Sequence, residues 1–259
     1  MSIDYSRIRK KTFQERLHLD KYLCEIAQNH PSHWFLENPA SQNIYLYLTK
    51  YVKTISESHF NKKFNDMRIL DWGCGKGHVT WLMQKLGANP ISCDVRVQED
   101  DSSFGQETPI IDKTGILIDP LEHKYKLPYE DDSFDVVLSF GVLEHVPDDL
   151  NSLREINRIL TSNGLFFCFF LPYFLSWTQR LAHLKGNYYH DRLYRKSLIY
   201  KLMKECDFKI PDLWHRQIFP KNTVKYPKYH TFEKIDQFMT TFTFMKYLAT
   251  NIEFVACKG

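Results

Sequence analysis

The chain has 259 residues, of which 43% are hydrophobic and 15% aromatic, and its formal net charge is +3 at pH 7. This length suits one large α/β domain, or one domain with an appendage. The small net charge gives no argument for a nucleic-acid partner. The six cysteines contain no C-x-x-C pair, which argues against a zinc site and a disulfide framework. Because the sequence also shows no apolar signal segment and no run long enough to span a membrane, we expect a cytoplasmic protein.

The pattern of apolar residues changes near Met67. Before it, residues 43–55 (NIYLYLTKYVKTI) space apolar side chains by three and four, which predicts a helical extension or cap over residues 1–65. After it, strand and helix patterns alternate, so we predict a second domain over residues 66–259. The predicted strands are 68–72, 90–95, 115–119, 134–140, 164–172, 209–218 and 251–259, and the predicted helices are 78–87, 148–160, 197–208 and 233–251. This alternation is typical of a mostly parallel sheet with helices on both faces.

The sequence DWGCGKG (71–77) lies where the first of these strands becomes a helix. Its glycine spacing, G-x-G-x-G, differs from the dinucleotide fingerprint, and no phosphate-loop string is present. Asp71 would repel a phosphate but suits a positively charged amine. Asp94 ends the second strand, 23 residues after Asp71, where an acid can accept both hydroxyls of a ribose. An amine and a ribose without a phosphate fit S-adenosylmethionine; the alternative is a tight turn in which Asp71 caps the helix.

Together with residues 127–168 (LPYEDD…GLFFC) and 253–259 (EFVACKG), this segment resembles class I S-adenosylmethionine-dependent methyltransferases. The resemblance implies a Rossmann-like, doubly wound, seven-stranded sheet, mostly parallel with an antiparallel last strand. It also implies a set of cofactor contacts. The methionine end would contact Asp71, Ser139 and Phe140, together with the backbone of Gly73, Cys74, Gly75 and Gly77. Asp94 would hold the ribose. Val95 would lie beside the adenine, and Asp119 and Leu121 would supply further adenine contacts.

The chain departs from the family pattern in two places. The position that often holds an adenine-binding acid is His123, so either Asp119 or Glu122 would face the adenine amino group. Some relatives carry Glu-x-x-Glu-His and bind a divalent metal there, whereas this chain has Gly141 at the first glutamate position. With one carboxylate and one imidazole, a hard cation lacks ligands, so the sequence predicts no catalytic metal.

The resemblance implies methyl transfer, and we expect O-methylation of a small molecule or glycan. His145 follows the fourth strand and is a candidate general base, although a structural histidine bonded to backbone is an equal alternative. His190 would face the acceptor or lie in a solvated loop. The other functions considered are N- or C-methylation of a lipid-linked or natural-product substrate, a non-catalytic S-adenosylmethionine-binding protein, and a nicotinamide-dependent oxidoreductase.

Residues 218–250 separate the last two predicted strands and combine basic and aromatic side chains with an amphipathic helix. We expect this segment, with the loop around residues 188–190, to form a lid over the acceptor. The alternatives are a homodimer contact, a peripheral contact with a membrane surface, and ordinary packing on the chain's own domain.

Overall fold

A computed structural model describes residues 3–15, 17–29, 34–95, 109–186, 190, 192–220 and 228–259. The chain divides into two compact units. The first comprises Met1–Glu122 and Phe134–Leu138, and the second is formed mainly by His123–Ser133, Ser139–Lys221 and Tyr226–Gly259. No helix among the described residues is both long enough and apolar enough to cross a membrane.

Seven strands form one sheet in the order β3-β2-β1-β4-β5-β7-β6. The first three pair in parallel, and β7 pairs antiparallel with both β5 and β6. The predicted Rossmann-like fold, mostly parallel with an antiparallel last strand, is therefore confirmed. The strands are β1 (Ile69–Trp72), β2 (Ile91–Val95), β3 (Ile118–Leu121), β4 (Phe134–Phe140), β5 (Leu160–Pro172), β6 (Phe208–Arg216) and β7 (Asn251–Lys258).

The direction of winding reverses between β1 and β4, which are neighbours in the sheet although β2 and β3 follow β1 in the chain. Open α/β sheets bind ligands at the carboxyl ends of their strands beside such a reversal. The residues that follow β1 are the glycines and those that follow β4 begin with Gly141. The glycine loop and the turn after β4 therefore each follow a strand that borders this reversal.

Ten α-helices accompany the sheet in the described residues. They are α1 (Tyr5–Gln14), α2 (Lys21–Asn29), α3 (Trp34–Glu37), α4 (Pro39–Phe60), α5 (His78–Lys85), α6 (Pro109–Thr114), α7 (Asp149–Ile159), α8 (Trp177–Leu184), α9 (Lys196–Glu205) and α10 (Tyr229–Phe242). The longest, α4, begins where the Asn38 side chain accepts the Ala40 N–H and Pro39 occupies the first turn, a favourable start on both counts. It ends at Asn61, which adopts a left-handed conformation.

Two predicted elements were wrong in extent. The strand predicted over 115–119 is β3 at Ile118–Leu121, and Gly115 instead ends α6, its N–H donating to the Ile111 carbonyl. Ile116 packs with helical residues of the first unit rather than in a strand. The helix predicted over 233–251 is divided, because α10 ends at Phe242 and Thr243 caps a short 3-10 helix at Phe244–Leu248. Helices α6 and α8 were not predicted.

Candidate active site

The loop between β1 and α5 has the backbone geometry that its glycines predict. Gly73, Gly75 and Gly77 all have positive φ angles, of 71°, 53° and 76°. A Cβ added to Gly75 would meet no atom within 4 Å, whereas one on Gly77 would lie 3.0 Å from Ile111 Cγ1. The loop is therefore closed by packing at Gly77 and open at Gly75, where a ligand can approach the backbone. This open cradle is what S-adenosylmethionine would require.

Asp71 is buried at the end of β1, and its Oδ2 accepts a hydrogen bond of 2.6 Å from the Thr80 hydroxyl. The Thr80 hydroxyl also lies 2.9 Å from that of Ser92. Burial, with a smaller effect from the charge of Asp94, raises the pKa of Asp71 to about 7. The N-cap residue of α5 is Gly77, with no side-chain capping bond of its own. Asp71 also accepts a hydrogen bond from the backbone of Thr80, in the first turn of this helix, so the alternative in which Asp71 caps the helix stays open. A buried carboxyl of this kind suits a cationic amine, which would stabilise its ionised form.

Asp94 connects β2 to the glycine loop. Its two carboxylate oxygens accept the Gly75 N–H at 2.6 Å and the Val95 N–H at 2.7 Å. Burial raises the pKa of Asp94 above its usual value, although these two hydrogen bonds oppose the shift. The carboxylate thus already fixes the loop from which a ligand would be bound. Its position after β2 agrees with the prediction that it holds a ribose, a contact that stays a prediction.

The residues predicted to contact adenine lie around the ends of β2 and β3. Val95 is 53% exposed and pairs in register with Leu121, while Asp119 pairs with Cys93 inside the sheet. Glu122 is exposed and follows β3 directly. Val95 and Leu121 can therefore form an apolar wall beside an adenine, and the choice between Asp119 and Glu122 stays open.

Cys74 contributes backbone rather than a reactive side chain. Its thiol is buried, which raises its pKa, and its N–H donates to the Cys93 carbonyl. Ser139 and Phe140 end β4. Ser139 is fully buried beside the Cys168 thiol, and the half-buried Phe140 ring packs 4.8 Å from that of Phe169. The predicted approach of these two residues to the methionine moiety stays a prediction.

After β4 the second unit brings Glu144, His145 and His190 together; we call them the imidazole cluster. Each offers one nitrogen or oxygen atom, and these atoms lie within 4.8 Å of one another. The rings of His145 and His190 are 5.4 Å apart, and His145 Nε2 is 3.9 Å from Glu144 Oε1. His145 is exposed while Glu144 is buried, and burial raises the pKa of Glu144 to about 8. Both predicted catalytic histidines thus belong to one cluster.

Hydrogen bonds hold the turn that carries Glu144 and His145. The Gly141 N–H donates to the Phe169 carbonyl and the His145 N–H to the Val142 carbonyl. Arg192 donates to the Val146 carbonyl at 2.9 Å and Tyr194 to the Leu143 carbonyl at 3.1 Å. Arg192 and Tyr194 follow His190 closely in the chain, so the segment that carries the second histidine is bonded to the turn that carries the first.

The sheet order places the chain in the Rossmann-like fold class, and comparison with known proteins shows what the chain is similar to. Residues 70–168 match the family model described as a methyltransferase domain. This segment is therefore similar to a methyltransferase domain, which agrees with the resemblance to class I S-adenosylmethionine-dependent methyltransferases that its sequence shows.

Curated relatives include two ubiquinone biosynthesis O-methyltransferases. The protein from Parvibaculum lavamentivorans is 30% identical over 124 residues, which is 45% of this chain and 47% of the relative. The protein from a Ruegeria species is 33% identical over 106 residues, which is 40% of this chain and 41% of the relative. The matched segment thus spans less than half of either relative.

Solved structures support the fold. A S-adenosylmethionine-dependent methyltransferase from Thermotoga maritima superposes with a TM-score of 0.54 at 15% identity, covering 92% of this chain and 99% of that one. Another from Methanosarcina mazei gives a TM-score of 0.50 at 15% identity, covering 77% and 95%. At such identities the likeness is one of architecture.

Four residues at these sites carried no recognisable sequence signal. The Thr80 hydroxyl donates to Asp71, nine positions earlier in the chain, and pairs with the Ser92 hydroxyl; no short motif marks either residue. Arg192 and Tyr194 act on backbone carbonyls, which any residue supplies. Of the proposed lid, Tyr188, Tyr189 and residues 221–227 lie outside the described part of the chain.

Proposed function

We propose that this protein transfers the methyl group of S-adenosylmethionine to a hydroxyl oxygen of a small-molecule acceptor. The observation that carries this proposal is the imidazole cluster, in which Glu144 and His145, directly after β4, lie near His190 from a later segment. A hydroxyl needs help in losing its proton during methylation, and histidine commonly gives that help. The two relatives that are O-methyltransferases point to the same chemistry.

Three residues of the first unit are assigned to cofactor binding. The Asp71 carboxyl would attract the amine, the open backbone at Gly75 would accept the close approach of the methionine end, and Asp94 would bind the ribose. The bound sulfonium supplies a methyl group that is already activated. The chain then has to align the acceptor and exclude water, and such positioning contributes several kcal/mol, about 7–11 in the most favourable cases.

The imidazole cluster is assigned to the acceptor. His145 is exposed and its ring lies beside that of His190, so an acceptor hydroxyl can reach either ring. Glu144 lies behind them with its carboxyl buried. This arrangement withdraws the hydroxyl proton as the new C–O bond forms.

Incubation with labelled S-adenosylmethionine tests the reaction. The acceptor panel comprises phenols, vicinal diols, sugars and amines, and mass spectrometry locates the added methyl group. We expect a methyl ether, and we expect His145→Ala to lower kcat about 10²–10⁴-fold, the usual contribution of a well-placed histidine. Affinity for S-adenosylhomocysteine should stay unchanged, because its contacts lie elsewhere. An N-methylated or C-methylated product, or full turnover in His145→Ala, would contradict the proposal.

A further inference from the structure

Strand β5 is irregular near its carboxyl end, beside the turn that follows β4. Its pairing register with β7 shifts between Cys168 and Leu171, so that Phe169 and Phe170 stand opposite Glu253 alone. Phe170 has a φ of 62°, a left-handed conformation that costs free energy for a bulky side chain. Bulges of this kind often lie next to active sites, where they redirect a side chain.

A buried ion pair holds Phe170 in this conformation. The Glu253 carboxylate is fully buried, and its Oε1 accepts the Phe170 N–H at 3.1 Å and the Arg216 Nε–H at 2.8 Å. Arg216 Nη2 lies 2.6 Å from the same oxygen, and the Arg216 guanidinium lies over the Phe170 ring, 4.5 Å from its centroid. The carboxylate thus restrains the backbone of Phe170, and the guanidinium restrains its ring.

Stability alone does not account for this arrangement. The desolvation of two buried charges often exceeds the attraction between them, and Glu253 Oε2 makes no hydrogen bond within the described part of the chain. The left-handed backbone of Phe170 adds a further cost. Because strain and unsatisfied buried groups tend to persist where function requires them, we looked for a role of Phe170 in the neighbouring site.

Phe170 borders the imidazole cluster. A Cβ added to Gly141 would lie 3.6 Å from Glu144 Oε1 and 3.8 Å from Phe170 Cβ, so the space over this glycine is shared by both side chains. The Phe140 ring lies 6.1 Å from the Phe170 ring, and both residues are half-buried. Two partly accessible aromatic rings therefore border the turn that carries His145.

We propose that Phe170 determines acceptor specificity by contacting an apolar part of the acceptor, and that Arg216, which Glu253 holds in place, positions its ring. This inference rests on the proposed function, which places the acceptor at the imidazole cluster. The ring contact exists both before and during methyl transfer, so its loss raises the acceptor KM and leaves kcat nearly unchanged. Phe170 differs in this from His145, whose loss should lower kcat.

Binding of 1-naphthol to the full chain saturated with S-adenosylhomocysteine tests the ring contact without turnover, since this aromatic alcohol is fluorescent. We expect saturable binding to the parent and about tenfold weaker binding to Phe170→Gly, because the glycine removes the ring but suits the left-handed backbone. Phe170→Tyr, which keeps the ring, should bind as the parent does. Absence of saturable binding to the parent, or equal affinity in Phe170→Gly, would overturn the proposal.

Arg216→Lys tests the positioning role, because lysine keeps the positive charge but has no planar group to stack on the ring. We expect several-fold weaker naphthol binding, and no further loss when this change is added to Phe170→Gly, since Arg216 acts through the ring. Arg195→Lys is the matched control, because the Arg195 guanidinium lies 4.2 Å from the centroid of the Phe174 ring. Fully additive losses, or an equal loss in the control, would overturn the positioning role. Unchanged affinity for S-adenosylhomocysteine shows which variants are folded.

The role of Phe170 and the proposed function fail differently. Methyl transfer to an amine, together with naphthol binding that is lost in Phe170→Gly, would contradict O-methylation and support the ring contact. A methyl ether formed by Phe170→Gly with the KM and kcat of the parent would support the proposed function and overturn the ring contact. A lower kcat with an unchanged KM in this variant would also overturn it.

Discussion

Asp94 shapes the glycine loop, and we predict that the same side chain also binds the ribose. Its oxygens accept N–H groups from Gly75 and Val95, yet carboxylates have further lone pairs for ribose hydroxyls. Replacement by asparagine keeps the shape but removes the charge and turns one acceptor into a donor that faces an N–H. The expected loss is therefore larger than that of a ribose contact alone.

We predict that Asp94→Asn weakens S-adenosylhomocysteine binding at least tenfold, because hydrogen bonds to charged groups contribute about 1.5–3 kcal/mol each. Isothermal titration calorimetry measures the change, with Asp66→Asn as a control because Asp66 is an exposed acid outside the loop. Equal affinity in a folded Asp94→Asn protein would remove Asp94 from the binding site.

Asp71 gives a prediction about stability and pH. Burial raises its pKa from 3.8 to about 7, so the unfolded chain ionises this group at lower pH than the folded chain does. Its unfavourable contribution is absent below about pH 4, grows as pH rises, and is complete above about pH 7. Asp71→Asn carries no such ionisation and can still accept the Thr80 hydrogen bond.

The free energy of unfolding of the wild type, minus that of Asp71→Asn, should therefore fall by about 2–3 kcal/mol between pH 5 and pH 8. Urea unfolding of both proteins at each pH provides the measurement, and taking the difference cancels the titration of the other groups. A difference that stays constant with pH would mean that the carboxyl has the same pKa in both states.

The same elements show what the sequence could and could not predict. Strand β4 was predicted over 134–140 and found there, because this segment is mostly apolar, contains two adjacent valines and has the length of a buried strand. The strand predicted over 115–119 was wrong in extent, because Gly115 terminates α6 and Ile116 packs against helices. These are tertiary contacts, which a short apolar run in the sequence does not reveal. The glycine loop was predictable from local spacing. The approach of His190 to His145 was not, since it depends on hydrogen bonds from Arg192 and Tyr194 to backbone carbonyls.

Helix α10 and the short helix after it expose aromatic side chains. Phe238 and Phe242 are 58% and 70% exposed, their rings lie 5.5 Å apart, and Phe244 is 78% exposed. Asp236 anchors the other face of α10 by accepting the N–H groups of Ile218 and Phe219. The exposed rings therefore contribute little to folding and are available for the acceptor contact predicted for residues 218–250.

We predict that the double variant Phe238→Ser/Phe242→Ser raises the acceptor KM several-fold while its free energy of unfolding changes by no more than about 0.5 kcal/mol, as for other exposed sites. Leu184→Ser, which alters an 85% exposed residue outside this segment, is the control. Unchanged KM with weaker sedimentation on anionic liposomes would assign the rings to a membrane surface instead, and unchanged KM with a smaller size on gel filtration would assign them to a dimer.

At the scale of the whole molecule, the cofactor should stabilise the fold by mass action, because the loop after β1 exists as a binding surface only when folded. A ligand present at a hundred times its Kd adds about 2.7 kcal/mol to the free energy of unfolding. For a chain of this size we expect S-adenosylhomocysteine to raise Tm by about 5–10 °C, and NAD to leave it unchanged. We expect this contrast because the third glycine, Gly77, stands one residue earlier than the dinucleotide fingerprint requires.

Gly75→Val provides the matched variant for this thermal measurement. Gly75 has a φ of 53°, and its missing Cβ leaves open space, so valine would both strain the turn and occupy the ligand's path. Its own Tm should fall modestly, and addition of S-adenosylhomocysteine should produce little or no rise. Differential scanning fluorimetry of both proteins with each ligand completes the comparison. An equal rise in the variant would show that the ligand binds away from this loop, and a rise with NAD alone would favour a nicotinamide-dependent oxidoreductase.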